Sequence, residues 1–306
     1  MRRSGGPVDV TVVEVAPRDG LQNEPEIVST ADKIRLIERS IAAGVRRIEA
    51  VSFVHPRRVP QMADAEAVLA GVPRMDGVSY AGLVFNERGL DRALAAGVHE
   101  INVVVVATDT FSLRNQGCTV ADGIERWRAL AARAADSGLV RTVTIAAAFG
   151  CPFEGEVAES TVLELVRRVA QDGPQEIALA DTIGVGTPDR VRALVAATGA
   201  IAPDADVRCH FHNTRNTGYA NAFAALEAGA RVLDASTGGI GGCPFAPAAT
   251  GNIATEDLLY TLDRMGYVTG IDLGRVIETG RWLGEVLAAP VPALLGRAGP
   301  FPPETK

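Results

Sequence analysis

The sequence predicts an α/β chain folded as a (β/α)8 TIM barrel with a short C-terminal helical extension. Three observations carry this reading. Short, β-branched apolar runs alternate eight times with longer Ala- and Leu-rich stretches of helical period. The eight units fill about 250 residues, the usual size of such a barrel. The rival architecture, a doubly wound open sheet, lacks its usual signals. Gly184-Val185-Gly186-Thr187-Pro188-Asp189 misses the last glycine of G-x-G-x-x-G, and nothing matches a P-loop.

Each element has its own warrant. The first strand is residues 10–15. The helix after it opens at Ser29, where Ser29 and Asp32 precede Ile34, Leu36 and Ile37 as a capping box with Asp in place of Glu. That helix ends near Gly44. Further strands are expected at 47–52, 78–84, 100–106, 142–149, 176–181, 207–212 and 231–236. Helices are expected at 61–70, 87–96, 120–137, 160–171, 188–198, 217–228 and 255–265. Ala-Gly-Val or Ala-Gly-Ala recurs before strands at Gly44, Gly97 and Gly229. Glycine suits the residue just past a helix, where φ turns positive. The division that follows is a tail over 1–8, a barrel over 9–265, and an extension over 266–306 with one helix near 273–287 and a Pro-rich end.

Composition excludes several function classes. The 306 residues carry 37 acidic and 30 basic side chains, a formal charge of −7, with no basic stripe interleaved with aromatics. No nucleic-acid partner is expected. The longest apolar runs are strand-sized, so no membrane span is expected either. The N-terminus has Arg2 and Arg3 but no apolar run behind them, unlike a secretory signal. Four cysteines, at 118, 151, 209 and 243, form no C-x-x-C pair and read as thiols in a reducing, cytoplasmic setting. Aromatics make up 5% of the chain, which points to a barrel core layered with Val, Ile and Ala.

In such barrels chemistry sits at the C-terminal ends of the strands. Five strand ends carry polar groups. Glu14 and Pro17-Arg18-Asp19-Gly20-Leu21-Gln22-Asn23-Glu24 follow the first strand, as a site or as a solvated turn. Glu49 and Ser52 lie on the second strand, where a barrel interior tolerates an acid only if paired. Asp181 ends the sixth strand, as a site residue or a cap. His210-Phe211-His212 ends the seventh. Side chains two apart share one strand face, so two imidazoles there can chelate one metal or form a structural pair. After the eighth strand comes a loop with Gly238, Gly239, Gly241, Gly242, Cys243 and Asn252. Asp19, His210, His212 and Asn252 come from the first, seventh and eighth strands, which are neighbours in a closed barrel. This oxygen and nitrogen set without thiolate suits Mg²⁺ or Mn²⁺, with Zn²⁺ or Co²⁺ as further candidates.

These segments resemble the 3-hydroxy-3-methylglutaryl-CoA lyase family, one branch of the metal-dependent lyase and synthase barrels. The matching stretches are 14–24, His210-x-His212, Gly241-Gly242-Cys243-Pro244-Phe245 and Gly251-Asn252-x-Ala254-Thr255-Glu256-Asp257. They also include Gly150-Cys151-Pro152-Phe153-Glu154-Gly155 and 181–188. The resemblance implies that Asp19, His210, His212 and Asn252 hold the divalent cation. It implies that Arg18 offsets the enolate charge, Glu49 orients Arg18, and Cys243 is a catalytic thiol on a mobile loop. Gln22, Ser52, Thr144 and Asp181 would meet substrate, with Glu14 and Glu256 in support; Arg215, absent from the family pattern, would bind a further substrate carboxylate or be a plain surface residue. The implied reaction is metal-dependent cleavage of 3-hydroxy-3-methylglutaryl-CoA, or a close tertiary 3-hydroxyacyl-CoA, to acetyl-CoA and acetoacetate or an analogous ketone. A homodimer is expected, with an acyl-CoA partner and no nucleotide or flavin cofactor. Asp19 or a bound water is the candidate base. The departures are Asn213, Arg215, Thr144 and Ala178, which place the acyl pocket in question and keep citramalyl-CoA open as a substrate. A condensing synthase of the isopropylmalate or homocitrate type and a non-catalytic binding barrel are the competing readings.

Overall fold

The computed structural model describes residues 9–242, 251–299 and 301. Eight parallel strands close in chain order: β1 (Thr11–Glu14), β2 (Arg47–Ser52), β3 (Ser79–Leu83), β4 (Glu100–Val106), β5 (Val140–Ala146), β6 (Glu176–Asp181), β7 (Asp206–Phe211) and β8 (Val232–Ala235). The seam is β1 against β8, with Thr11 opposite Val232 and Glu14 opposite Ala235. Closure therefore puts the ends of β1, β7 and β8 side by side.

The helices between strands are α1 (Thr30–Ala42), α2 (Ala65–Gly71), α3 (Glu87–Ala96), α4 (Asp109–Gln116), α5 (Val120–Asp136), α6 (Glu159–Ala170), α7 (Pro188–Ile201) and α8 (Gly218–Glu227). Then come α9 (Thr255–Arg264), α10 (Leu273–Val286) and the single turn α11 (Leu295–Ala298). Ser29 caps α1 by accepting the Asp32 amide at 3.1 Å, and its hydroxyl, rather than its amide, bonds the Asp32 carboxylate at 2.7 Å. Gly44, Gly97 and Gly229 all carry positive φ, as their position before strands predicts.

Three of the departures from expectation have a plain cause in the structure. The helix expected at 61–70 starts late, at Ala65, because Gln61 is held elsewhere: its carboxamide accepts the Val28 amide and donates to the Glu26 carbonyl, both at 2.9 Å. The fifth strand stops at Ala146, because Ala147 turns left-handed at φ 56°. Helix α4 was not expected: its sequence has no apolar stripe, and only Phe111 and Ser112 are buried. It lies at the barrel mouth, where one face needs no core.

The expected Val/Ile/Ala interior is also corrected. The main apolar core lies outside the strands, where residues such as Ile48, Val51, Ile101 and Ile177 cluster with helix residues such as Ile37, Leu90, Trp127 and Leu194. A bulge between Glu49 and Val51 interrupts the register of β2, so Ile48, Ala50 and Val51 all join that outer core. Inside the barrel are charges. Arg47 bonds Glu100 and Glu176; Arg208 bonds Glu176, Glu49 and Asp234. Val13, Val15 and Val232 form a small apolar cluster of their own.

Candidate active site

The loop after β1 is one wide helical turn, Ala16–Gly20, in which the Gly20 amide reaches back to the Val15 carbonyl at 3.1 Å. Glu14 anchors it. Fully buried, Glu14 accepts from the Ala16 amide, the Thr237 amide and hydroxyl, and the Thr255 hydroxyl, at 2.6–2.9 Å. It thus ties the β1 loop to the β8 loop and to α9. The turn projects Arg18 and Asp19 into a cavity of about 780 Å³ at the C-terminal end of the barrel.

Arg18 is clamped from two sides. Its Nε and one terminal nitrogen reach Glu49 Oε1 at 2.6 and 2.5 Å, and its other terminal nitrogen reaches Asp19 Oδ1 at 2.6 Å. Burial works against its charge, but Glu49 and then Asp19 outweigh that and raise its pKa. Burial also works against the Asp19 carboxylate, yet Arg18, His210, His212 and the Asn252 hydrogen bond together hold it well below the ordinary carboxylate range.

Asp19, His210 and His212 offer ligand atoms that all lie within 4.8 Å of one another. His210 Nε2 is 3.8 Å from Asp19 Oδ2. That is too long for a hydrogen bond, but it is a span two donors can keep across one ion at bond lengths of about 2.1 Å. His210 Nδ1 faces Asp234 Oδ2 at 3.0 Å, which directs Nε2 toward Asp19. His212 Nδ1 is buried with no hydrogen-bond partner among the described residues. Burial, then His210, lowers the His212 pKa to about 3, so its imidazole is neutral and has a lone pair to give. The residues fit a divalent cation.

Asn252 is brought to the same place by short pairings. It bridges to His212 in antiparallel fashion, and Ala254 bridges to Ser236 in parallel. Its Nδ2 donates to Asp19 Oδ2 at 2.9 Å and to the Ile240 carbonyl at 3.1 Å. Gly241 makes this approach possible. A Cβ there would lie 2.6 Å from Asn252 Nδ2 and 2.9 Å from the Asp19 carbonyl, at a φ of +105°.

The other expected site residues divide. Gln22 and Thr144 line the cavity, and the Thr144 hydroxyl donates to Asn102 Oδ1 at 2.8 Å. Ser52, Asp181 and Arg215 are not among its lining residues. Ser52 is fully buried, with its Oγ accepting the Val54 amide at 3.3 Å. Asp181 accepts the Val185 and Gly186 amides, each at 2.9 Å, within the loop before α7; the residue at the N-cap of α7 is Thr187, so Asp181 does not cap that helix. Arg215 is exposed and donates to the carbonyls of Ile183 and Gly184. Ala178 is buried off the cavity, and Ala180 takes the wall position on β6. Glu256 is fully buried beneath the Thr237–Gly239 turn, where it accepts the Gly238 amide at 3.0 Å, with no bond to Asn252. Cys243 lies outside the described residues.

Sequence reasoning missed Asp234, Arg208 and Asn102. The signal was present. Arg208-x-His210-x-His212 continues the two-residue alternation backwards along β7, and Asp234 stands near the end of β8.

The model of the HMGL-like family matches residues 9–283. The chain belongs to the HMGL-like family. The (R)-citramalyl-CoA lyase of Chloroflexus aurantiacus is 46% identical over 305 residues, 96% of each chain. The hydroxymethylglutaryl-CoA lyase of Pseudomonas mevalonii is 43% identical over 271 residues, 89% of this chain and 90% of that one. Among solved structures, an HMG-CoA lyase from Acinetobacter baumannii in complex with coenzyme A and 3-methylmalate superimposes with a TM-score of 0.92. It is 40% identical and covers 97% of both chains. This HMGL-like protein is thus an enzyme of the HMG-CoA lyase-like carbon–carbon lyase type.

Proposed function

We propose that this HMGL-like enzyme cleaves a tertiary 3-hydroxyacyl-CoA between C2 and C3, releasing acetyl-CoA and a ketone. The observation that carries the reading is the meeting of Arg18, Asp19, His210 and His212 at one cavity, with Asn252 bonded to Asp19. A cation held there, Mg²⁺ or Mn²⁺ by the chemistry of the set, would supply Lewis-acid polarisation of substrate oxygens. The protein does the rest. The C3 hydroxyl loses its proton to a base, the C2–C3 bond breaks, and its electron pair passes into the thioester enolate. Arg18, fixed by Glu49 and always cationic, offsets charge on the enolate oxygen. Cys243 is the proposed donor of the proton that C2 takes up.

Citramalyl-CoA leads as substrate, because similarity to the protein of that name is higher and covers both chains almost completely. Hydroxymethylglutaryl-CoA is the second reading, supported by several relatives at 40–43% identity. Thr144, small and polar, replaces the tyrosine that the family resemblance leads one to expect at the acyl end of the cavity. The test is product analysis with both thioesters and Mg²⁺ or Mn²⁺. Pyruvate with acetyl-CoA supports the first reading and acetoacetate with acetyl-CoA the second. No cleavage of either, with condensation of acetyl-CoA onto a 2-oxo acid instead, would establish a synthase.

A further inference from the structure

We infer that Arg208 is a positioning residue that sets both halves of the site at once. It touches neither the cavity nor any candidate ligand of the ion, and it is fully buried. Its Nε donates to Asp234 Oδ1 at 2.5 Å, and the other oxygen of Asp234 faces His210 Nδ1 at 3.0 Å. One terminal nitrogen donates to Glu49 Oε2 at 3.2 Å, and Oε1 of Glu49 holds Arg18. The other terminal nitrogen reaches Glu176 Oε1 at 3.3 Å. One planar fork therefore fixes two carboxylates, and each presents its second oxygen to a different functional side chain. Asp234 fixes the ring that would ligate the cation. Glu49 fixes the guanidinium that would meet the enolate.

The geometry needs an arginine. Its donors leave in fixed directions, whereas a lysine ammonium is a single point that reaches one carboxylate well and releases the other. Removing the charge altogether would leave Asp234, Glu49 and Glu176 sharing too few cations in a buried space, so Arg208→Lys is the informative variant.

The inference rests on the proposed cation site, and the experiment separates the two. Mn²⁺ binding to the metal-free protein is measured by calorimetry, and kcat and KM at saturating Mn²⁺. Arg208→Lys should weaken Mn²⁺ about tenfold, the usual effect of losing the partner behind a histidine ligand, and lower kcat as well. Asp234→Asn should reproduce the loss of Mn²⁺ affinity. Glu49→Gln should lower kcat while Mn²⁺ affinity stays within about threefold. In the Asp234→Asn background, Arg208→Lys should no longer change Mn²⁺ affinity, because its path to His210 is already cut. A folded Arg208→Lys variant with parental Mn²⁺ affinity and kcat overturns the inference. If that variant does not fold, an Asp234→Asn protein with parental Mn²⁺ affinity overturns it instead. A parent protein that binds no divalent ion overturns the site reading along with it.

Discussion

At the scale of single residues, the site is a set of paired charges whose pairing decides their state. Arg18 holds Asp19 ionised while Glu49 holds Arg18 in place, so the three act as one unit. Arg18→Gln removes the cation proposed to meet the enolate but leaves Asp19, His210 and His212. We expect kcat to fall on the order of a hundredfold to a thousandfold, the usual cost of losing one charge-stabilising donor. Mn²⁺ affinity, measured by calorimetry, should change much less. An equal loss in both would mean that Arg18 serves the cation site rather than the reacting oxygen. Thr144 and Asn102 form a pair on the cavity wall, joined at 2.8 Å, and Asn102 Nδ2 also reaches Glu49 at 3.3 Å.

At the scale of elements, the segment after β8 does the positioning. Gly241 lets the backbone pass within contact of Asp19, Gly20 and Asn252. Gly241→Ala adds a methyl where no space exists and strains a left-handed backbone. The expected outcome is a stability loss of about 1–3 kcal/mol in urea unfolding, with Mn²⁺ binding weakened at least tenfold. Parental values for both would show that the segment can move aside. Behind this segment, Glu256 sits against Gly280, and burial raises its pKa to about 8. The folded protein therefore binds a proton there that the unfolded chain releases near the ordinary value of 4.5. Its folded-state pKa is raised, so stability is lost as pH climbs from about 4.5 to about 8. Glu256→Gln removes that dependence. The variant should gain on the order of 4 kcal/mol over the parent at pH 8.5 relative to pH 5, read from paired unfolding curves. Parallel pH profiles would refute the assignment.

At the scale of the whole molecule, the barrel interior is an ionic layer and the apolar core surrounds it. Arg47 closes the end of the layer away from the cavity by bonding Glu100 and Glu176 at 2.6 and 3.0 Å. Arg47→Met leaves those acids short of a partner inside the barrel. The expected cost is about 3–5 kcal/mol, checked by urea unfolding at neutral pH. A cost under about 1 kcal/mol would mean that Arg208 alone neutralises the layer. The layer also sets the acid limit of the fold. Burial alone would raise the pKa values of Glu100 and Asp234, but their arginine and other polar partners outweigh it and lower both. Depressed carboxylates contribute stability above their unfolded-state values. That contribution disappears as pH falls below the ordinary carboxylate range near 4.

The sequence by itself determined the strand and helix rhythm, the closed barrel and the choice of Asp19, His210, His212 and Asn252 as a candidate set, which the fold brings together. These follow from local rules: apolar period, cap residues, glycines of positive φ, and imidazoles two apart on one strand. Four of the strand and helix ranges, 47–52, 87–96, 100–106 and 176–181, match the structure residue for residue. Only the tertiary structure decided what fills the barrel and which polar residues face the cavity. Arg47, Glu100, Glu176 and Arg208 come from β2, β4, β6 and β7, and a sequence does not show that they meet. Asp181 and Glu49 read alike as acids on strands, yet backbone amides take up the first and two arginines the second. Helix α4 escaped notice because a helix at the rim of a cavity needs no apolar stripe. The first two cases share one physical reason. Propensity and period act between neighbours in the chain, whereas the pairing of buried charge depends on which side chains barrel closure brings within about 3 Å of each other.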